Sequence, residues 1–334
     1  MKKTKRALDL FRGSGGWDVF DQELDIESDG VEWNPDACRT ADAAGLPASM
    51  CSDVRKYEID SNHGYEGAKG SPPCQTFTRA GNGSGRRDLA CVIAELKTLV
   101  ARGTIDYSRF SDERTGLVLE PFRIVMDAFF SGDPFQWVVL EQVPAVLPVW
   151  EEYAEHMKSF GYSVATGYVN SEQYGVPQAR KRAVLAARLG GEAKLPRPTH
   201  SRFYPRSPDR LDTGVLPWAS MVDALPHIEG LVLRSNYARG SRSATSAAER
   251  GRTLRLWNQP SVAITSKRMH WLSRDATPHT PVSEGRMVTL QEMAILQSFP
   301  PDFPWRGDVS SIRQQIGNAV PPLMARAILR EITS

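Results

Sequence analysis

The sequence predicts an α/β protein built on a doubly wound, mostly parallel sheet, with a smaller, loop-rich domain attached. Over the first 190 residues, short apolar runs alternate with stretches of helical periodicity, the pattern of strands joined by crossover helices. The first apolar run ends in Arg12-Gly13-Ser14-Gly15-Gly16, a strand feeding a glycine turn. Beyond residue 190, Pro196, Pro198, Pro205, Pro208, Pro217 and Pro226 interrupt any long element. A chain of 334 residues suits one large domain and a smaller one. The expected boundaries are 1–190 for the large domain, 191–284 for the small one, and 285–334 for a segment returning to the first.

Each element has a local reason. Ala7 to Phe11 is the first strand, and Gly30-Val31-Glu32-Trp33 ends the second. Asn34-Pro35-Asp36 then opens a helix, with Asn as cap and Pro at the first helical position. Thr115 to Ser131 reads as a helix with Val118, Phe122, Val125 and Phe129 on one face. Trp137-Val138-Val139-Leu140 and Ala183 to Ala187 read as buried strands. Thr289 caps a helix from Leu290 to Gln297, and another follows Pro321-Pro322. No internal repeat or low-complexity tract interrupts the chain.

Composition narrows the class. A hydrophobic share of 41% and a charged share of 24% are those of a soluble globular protein. No apolar run reaches the length of a membrane span. The basic Met1-Lys2-Lys3-Thr4-Lys5-Arg6 is followed by too short an apolar stretch for a signal peptide. Cys38, Cys51, Cys74 and Cys91 lack paired CxxC spacing, which argues against a disulfide scaffold or a zinc site and fits a reducing cytoplasm. The net charge is only +2, yet between Leu195 and Thr280 there are 12 Arg and 1 Lys against 6 Asp and Glu. A basic segment on a mildly acidic body suits a polyanion, and equally an ordinary solvated surface.

Cys74, in Ser71-Pro72-Pro73-Cys74-Gln75, is the most informative residue. Two prolines stiffen the turn that presents it, as a nucleophile requires. A cysteine alone is as readily core filler. Gly81 to Gly85 reads either as a lid or as a slack linker. Glu32, at a strand end, is placed to accept from ribose hydroxyls, Trp33 to stack on an adenine, and Asp53 to accept from its amine. The glycine spacing is not the dinucleotide GxGxxG pattern, which disfavours a nicotinamide cofactor. Glu141 ends a strand where open parallel sheets place functional groups, or is simply salt-bridged there. In Gln178-Ala179-Arg180-Lys181-Arg182, the two arginines share one face if the segment is extended.

Taken together, the chain resembles a DNA (cytosine-5)-methyltransferase of bacterial or phage type. The matching segments are Asp9-Leu10-Phe11 with Gly13, Gly15 and Gly16; Glu32-Trp33; Ser52-Asp53; Pro72-Pro73-Cys74-Gln75; Glu141-Gln142-Val143; Gln178 to Arg182; Arg286 to Thr289 with Glu292, Gln297 and Pro300; and Gly317-Asn318-Ala319-Val320. Their order and number exclude coincidence. The resemblance implies a class I, Rossmann-like methyltransferase domain and S-adenosylmethionine as methyl donor. It implies double-stranded DNA as substrate and a target-recognition region between Arg182 and Arg286. It also implies Cys74, Glu141, Arg180 and Arg182 as catalytic residues, with cofactor contacts from Phe11, Gly13, Gly15, Gly16, Glu32, Trp33, Asp53, Val54, Pro73, Asn318 and Val320. Arg180 and Arg182 would brace the pyrimidine carbonyl and the nucleophile loop. No metal is expected, the protein should act as a monomer, and its place is the cytoplasm, on DNA. A tRNA cytosine-5 methyltransferase shares these motifs, but the extended arginine-rich stretch favours DNA. An inactive DNA-binding relative would be expected to have lost one of the four catalytic residues.

Three departures stand out. Gln142 stands where the family usually has Asn, and one methylene should be absorbed silently. The segment before Cys74, Tyr65-Glu66-Gly67-Ala68-Lys69-Gly70, is not apolar, so a regular strand there is in doubt. The stretch from Thr78 to Thr115 is long and reads as containing a helix of its own, Leu89 to Ala101.

Overall fold

The computed structural model describes residues 4–47, 49–78, 83–235, 254–277 and 280–334. The chain divides into two compact units. The first comprises Met1–Val169, Lys181–Pro196 and Ala325–Ser334, and the second Asn170–Arg180 and Arg197–Met324. Thus most of the stretch after residue 285 belongs to the second unit, and only its last ten residues to the first.

The first unit is built on a seven-stranded sheet. Its strands are β1 (Lys5–Leu10), β2 (Ile26–Glu32), β3 (Ser49–Cys51), β4 (Gly67–Gly70), β5 (Trp137–Gln142), β6 (Tyr162–Asn170) and β8 (Lys181–Leu189), in the order β3-β2-β1-β4-β5-β8-β6. β1 to β5 pair in parallel, while β8 runs antiparallel to β5. The sheet is therefore α/β and mostly parallel, as expected, with its order reversing beside β1 and β4, where such folds place ligands.

The doubtful segment before Cys74 is a regular central strand, β4, buried throughout. It is poor in large apolar residues for a reason. A Cβ on Gly67 would lie 1.9 Å from the Trp137 ring of the neighbouring strand, so only glycine fits beneath that indole. Lys69 is also buried, and its charge is answered by Asp18 and Asp21 from the turn after β1.

Helix α1 (Pro35–Ala43) starts as its sequence dictates, the Asn34 side chain accepting from the Asp36 amide. The helix expected from Thr115 begins instead as a 3₁₀ segment, Glu113–Leu119, and becomes α-helical only as α4 (Glu120–Phe130). Pro121 sets that start, since proline belongs in a first helical turn. Before it lie α2 (Ser84–Arg87) and α3 (Leu89–Arg102), the latter close to the expected helix, and after β5 comes α5 (Leu147–Ser159). Leu96, Leu99, Phe122, Val125, Trp150 and Tyr153 join Leu8, Leu10, Val138 and Leu140 in one apolar core. Burial of that kind contributes about 25 cal/mol per Å² and fixes the sheet that carries the site.

The second unit holds a four-stranded antiparallel sheet, β10-β9-β12-β13, made of β9 (Leu231–Ser235), β10 (Leu254–Leu256), β12 (Met269–Ser273) and β13 (Arg286–Met287). A short parallel pair joins β7 (Gln178–Ala179) to β11 (Ser261–Val262). A small helix, α6 (Met221–Ala224), precedes β9, and α7 (Leu290–Leu296) and α8 (Val309–Asn318) follow the sheet. Thr289 and Glu292 form a capping box on α7, the start its sequence announces. The final helix, α9, runs from Pro322 to Thr333. Among the described residues no helix is long and apolar enough to cross a membrane.

Candidate active site

The arm that carries Cys74 grows from β4. After Gly70 the chain leaves the sheet through Ser71-Pro72-Pro73 and presents Cys74, half-buried. The Cys74 carbonyl accepts from the amides of Phe77 and Thr78, both at 3.0 Å, so the chain folds back at once. Ser71 Oγ accepts from Trp17 Nε1 at 3.0 Å, and Gln75 Oε1 from Arg114 Nη1 at 2.9 Å. Residues 79–82, which include the first two residues of the glycine stretch read as lid or linker, lie outside the described residues. Gly85, at its end, donates its amide to the Thr76 carbonyl.

Next to this arm, β5 ends in Glu141 and Gln142. Leu140 pairs with Gly70, so both chains leave the sheet at its carboxyl edge side by side. Glu141 is only 4% exposed, and Arg182 Nε from β8 lies 2.6 Å from its Oε1. The contact is one of charge and distance. Oε1 has no directed hydrogen bond and keeps its accepting capacity. Gln142 is equally buried and works as a clasp: Nε2 donates to the Pro72 carbonyl at 2.5 Å, while Oε1 accepts from the Val143 amide. Nothing in the spacing announces that role, and only the departure from Asn draws the eye to it.

The other half of the first unit's site is the turn after β1. Phe11 adopts a positive φ of 59°, and Gly13 and Gly15 follow at 60° and 89°. Open space lies over the Cα of Gly13, where a Cβ would meet nothing within 4 Å. Glu32, at the end of β2, accepts from the Gly13 amide through Oε2 and from the Asn34 amide through Oε1, each at 2.8 Å. Burial raises its pKa, against the lowering effect of these amides. Trp33 is 75% exposed, an indole free to stack. Gly16 and Val54 are buried, and Pro73 is half-buried.

Asp53 is already engaged within the chain. Its carboxylate accepts from the Arg55 amide at 3.0 Å and from the Arg55 guanidinium at 2.6 to 3.1 Å. Those bonds, Arg55's side chain foremost, lower its pKa.

The two arginines of the 178–182 segment divide their work. Arg182 meets Glu141 in the first unit. Arg180, in the second, is 3% exposed and donates to the carbonyls of Ile264 at 2.8 Å, Gly317 at 3.2 Å and Ala319 at 3.4 Å. Gln178 adds bonds to Gln297 Oε1 at 2.6 Å and from the Ile264 amide at 2.8 Å. Arg180 thus braces the Gly317–Val320 segment rather than reaching for solvent. Within that segment Asn318 is exposed and Val320 buried.

Comparison with known proteins bears on the family and the fold. The Type II methyltransferase M1.HphI of Haemophilus parahaemolyticus is 26% identical over 97% of this chain and 86% of its own length. The Type II methyltransferase M.HgiDI of Herpetosiphon aurantiacus is 27% identical, covering 96% and 91%. Among solved structures, the Entamoeba histolytica methyltransferase EhMeth superposes with a TM-score of 0.64 at 14% identity, over 99% of this chain and 98% of that one. The S. pombe Dnmt2 methyltransferase gives 0.61 at 15%, over 97% and 96%. These two likenesses speak for the fold. The family model of the C-5 cytosine-specific DNA methylases matches residues 5–334, and the chain belongs to that family.

Proposed function

We propose that this enzyme methylates carbon 5 of cytosine in a specific duplex DNA sequence, with Cys74 as nucleophile and S-adenosylmethionine as donor. Carbon 5 of cytosine is too weak a nucleophile to act unaided. The Cys74 thiolate adds to carbon 6, its electron pair forming the S–C bond and leaving carbon 5 enamine-like. Glu141 holds a proton at ring nitrogen 3, where it stabilises the charge that the addition pushes into the ring. Arg182 fixes the Glu141 carboxyl for that contact. Carbon 5 then takes the methyl group that a bound sulfonium donor would supply, the electron pair of the broken methyl–sulfur bond staying on the donor as a thioether. Once a base has removed the proton from the methylated carbon 5, the bond to Cys74 breaks and the carbon 5–carbon 6 double bond returns. The target base must first leave the stack, at a cost of about a few kcal/mol.

The cofactor fits the turn after β1. Glu32 would take the ribose hydroxyls, Trp33 the adenine face, and the open space over Gly13 the remaining chain, with Phe11, Gly15, Gly16, Val54 and Pro73 as neighbours. When bound, the donor supplies a methyl group on a sulfonium. Asp53, engaged with Arg55, would receive the adenine amine only by sharing lone pairs. Asn318 and Val320 belong to the same reading by the resemblance of their segment.

DNA recognition falls to the basic stretch 195–280. Arg234, Arg255 and Arg268 are the described candidates there, while Arg239, Arg242 and Arg252 lie outside the described residues. Action as a monomer on DNA in the cytoplasm completes the reading.

The observation that carries the proposal is the Gln142 clasp on Pro72, next in sequence to the Glu141–Arg182 pair, which puts nucleophile arm and acid on adjoining strand ends. Tritiated S-adenosylmethionine should label duplex DNA and not tRNA. Label on tRNA alone would overturn the choice of substrate, and label on neither would overturn the activity.

A further inference from the structure

A fully buried charge cluster lies inside the first unit and takes no part in the chemistry above. Lys69 of β4, its side chain 0% exposed, places Nζ 2.6 Å from Asp18 Oδ1 and 2.6 Å from Asp21 Oδ2. Arg12 Nε lies 2.6 Å from Asp18 Oδ2, and the same guanidinium donates to the Pro47 carbonyl at 2.6 Å and the Ser28 carbonyl at 3.3 Å. Ser28 Oγ donates to Asp21 Oδ2 at 2.6 Å. Asp9, on β1, pairs in register with Lys69, is 0% exposed, and neither of its oxygens has a hydrogen-bond partner.

Three carboxyls face two cations, so the cluster is neutral when one carboxyl keeps its proton. Burial raises the pKa of both Asp9 and Asp21, but Lys69 and Ser28 act against it on Asp21, while Asp9 has no hydrogen-bond partner and is pushed well up, by burial first and then by the charge on Asp18. Burial also works against ionised Asp18, but Lys69 and Arg12 outweigh it and hold its pKa at about 2. A neutral, closed cluster is what a low-dielectric interior tolerates, and removing one partner leaves a buried charge bare.

Its members are not scattered. Arg12, Asp18 and Asp21 flank or follow the glycine turn, and Lys69 stands five residues before Cys74. Trp17, inside the same turn, donates to Ser71 on the nucleophile arm. A flexible glycine turn loses much freedom on ordering, and that loss would otherwise fall on the binding step. We propose that Lys69 is a positioning residue for the cofactor turn, clamping residues 12–18 and the approach to Cys74 into binding geometry before any ligand arrives. The clamp rests on the reading of Gly13, Glu32 and Trp33 as the S-adenosylmethionine site.

Two measurements test it. In the unliganded wild-type protein, the amides of Gly15 and Asp18, which donate to Arg12 and Gly15, should exchange with deuterium as slowly as those of β1. Fast exchange there would sink the clamp whatever any variant does. In the variant Lys69→Met/Asp18→Asn/Asp21→Asn, which leaves one cation, Arg12, and one carboxyl, Asp9, the same amides should exchange faster than in wild type. Titration calorimetry should then show S-adenosylmethionine binding weakened about tenfold or more. A folded variant that binds within about twofold of wild type would overturn the proposal. If that variant does not fold, the wild-type exchange decides. A wild-type protein with a slow turn but no affinity for S-adenosylmethionine would sink the reading of the site and leave the clamp standing.

Discussion

Arg182 reaches from β8 to Glu141 on the neighbouring β5, and its Nε rests 2.6 Å from a carboxylate oxygen that has no directed hydrogen bond. The pair is nearly dry, with side chains 12% and 6% exposed. A carboxylate held by charge rather than by a filled hydrogen-bond shell keeps a lone pair open, as the proposed contact with the base requires. Each single loss leaves the other partner buried without its counter-charge, so the double loss should cost less than the sum of the two. Urea unfolding of Arg182→Ala, Glu141→Gln and the double variant should give an interaction energy of about 1–3 kcal/mol. Strict additivity would mean that the pair is incidental.

Gln142 should tolerate shortening better than removal. Gln142→Asn keeps the same amide donor and acceptor, and turnover should stay within about tenfold, or about 1.4 kcal/mol of barrier. Gln142→Ala leaves the Pro72 carbonyl and the Val143 amide without this partner in a buried site. That costs about 1–3 kcal/mol, and turnover should fall well below that of the Asn variant. Steady-state kinetics on plain duplex will rank the two, and equal losses would show that reach to Pro72, not the amide, is what counts.

Glu32→Ala should weaken S-adenosylmethionine binding by about 1.5–3 kcal/mol, the worth of hydrogen bonds to a charged acceptor. Because burial raises the Glu32 pKa, affinity should begin to fall at a higher pH than an exposed glutamate would give. Protonation removes the negative charge and part of the accepting capacity that the ribose hydroxyls would use, so acidification through that raised range weakens the contact. Calorimetry across pH should show this in wild type and a flat profile in Glu32→Gln.

Acid should weaken the second unit through Glu292. Burial pushes its pKa up, but bonds from Arg286, His227, the Thr289 amide and Trp271 bring it down to about 2. A depressed carboxyl stabilises the fold above its ordinary range and loses that contribution as pH falls through the folded value. Unfolding free energy should drop between about pH 5 and pH 2, and less steeply in Glu292→Gln. Equal slopes would exclude Glu292 as the source.

Much of this was legible because it is local. The caps Asn34 and Thr289, the apolar runs of β1 and β5, and the motif order all show in neighbouring residues. What stayed hidden depends on distant partners. β4 reads as irregular because its glycine answers Trp137 and its lysine answers Asp18 and Asp21, each about 50 to 70 residues away in sequence. The split between Arg180 and Arg182 is hidden likewise, since β7 pairs with β11 some 80 residues on while β8 joins β5. Alternation put both on one face, and tertiary pairing sent them to different partners.

The central claim is that Cys74 forms a bond to carbon 6 of a cytosine in duplex DNA. Duplex carrying 5-fluorocytosine at the target should trap that bond in the presence of S-adenosylmethionine, because fluorine cannot leave as the proton does. A denaturing gel should show the shifted protein–DNA band for the wild type and none for Cys74→Ser, whose hydroxyl is a far weaker nucleophile at neutral pH. The same band with Cys74→Ser, or a band mapped by peptide sequencing to Cys38, Cys51 or Cys91, would contradict it.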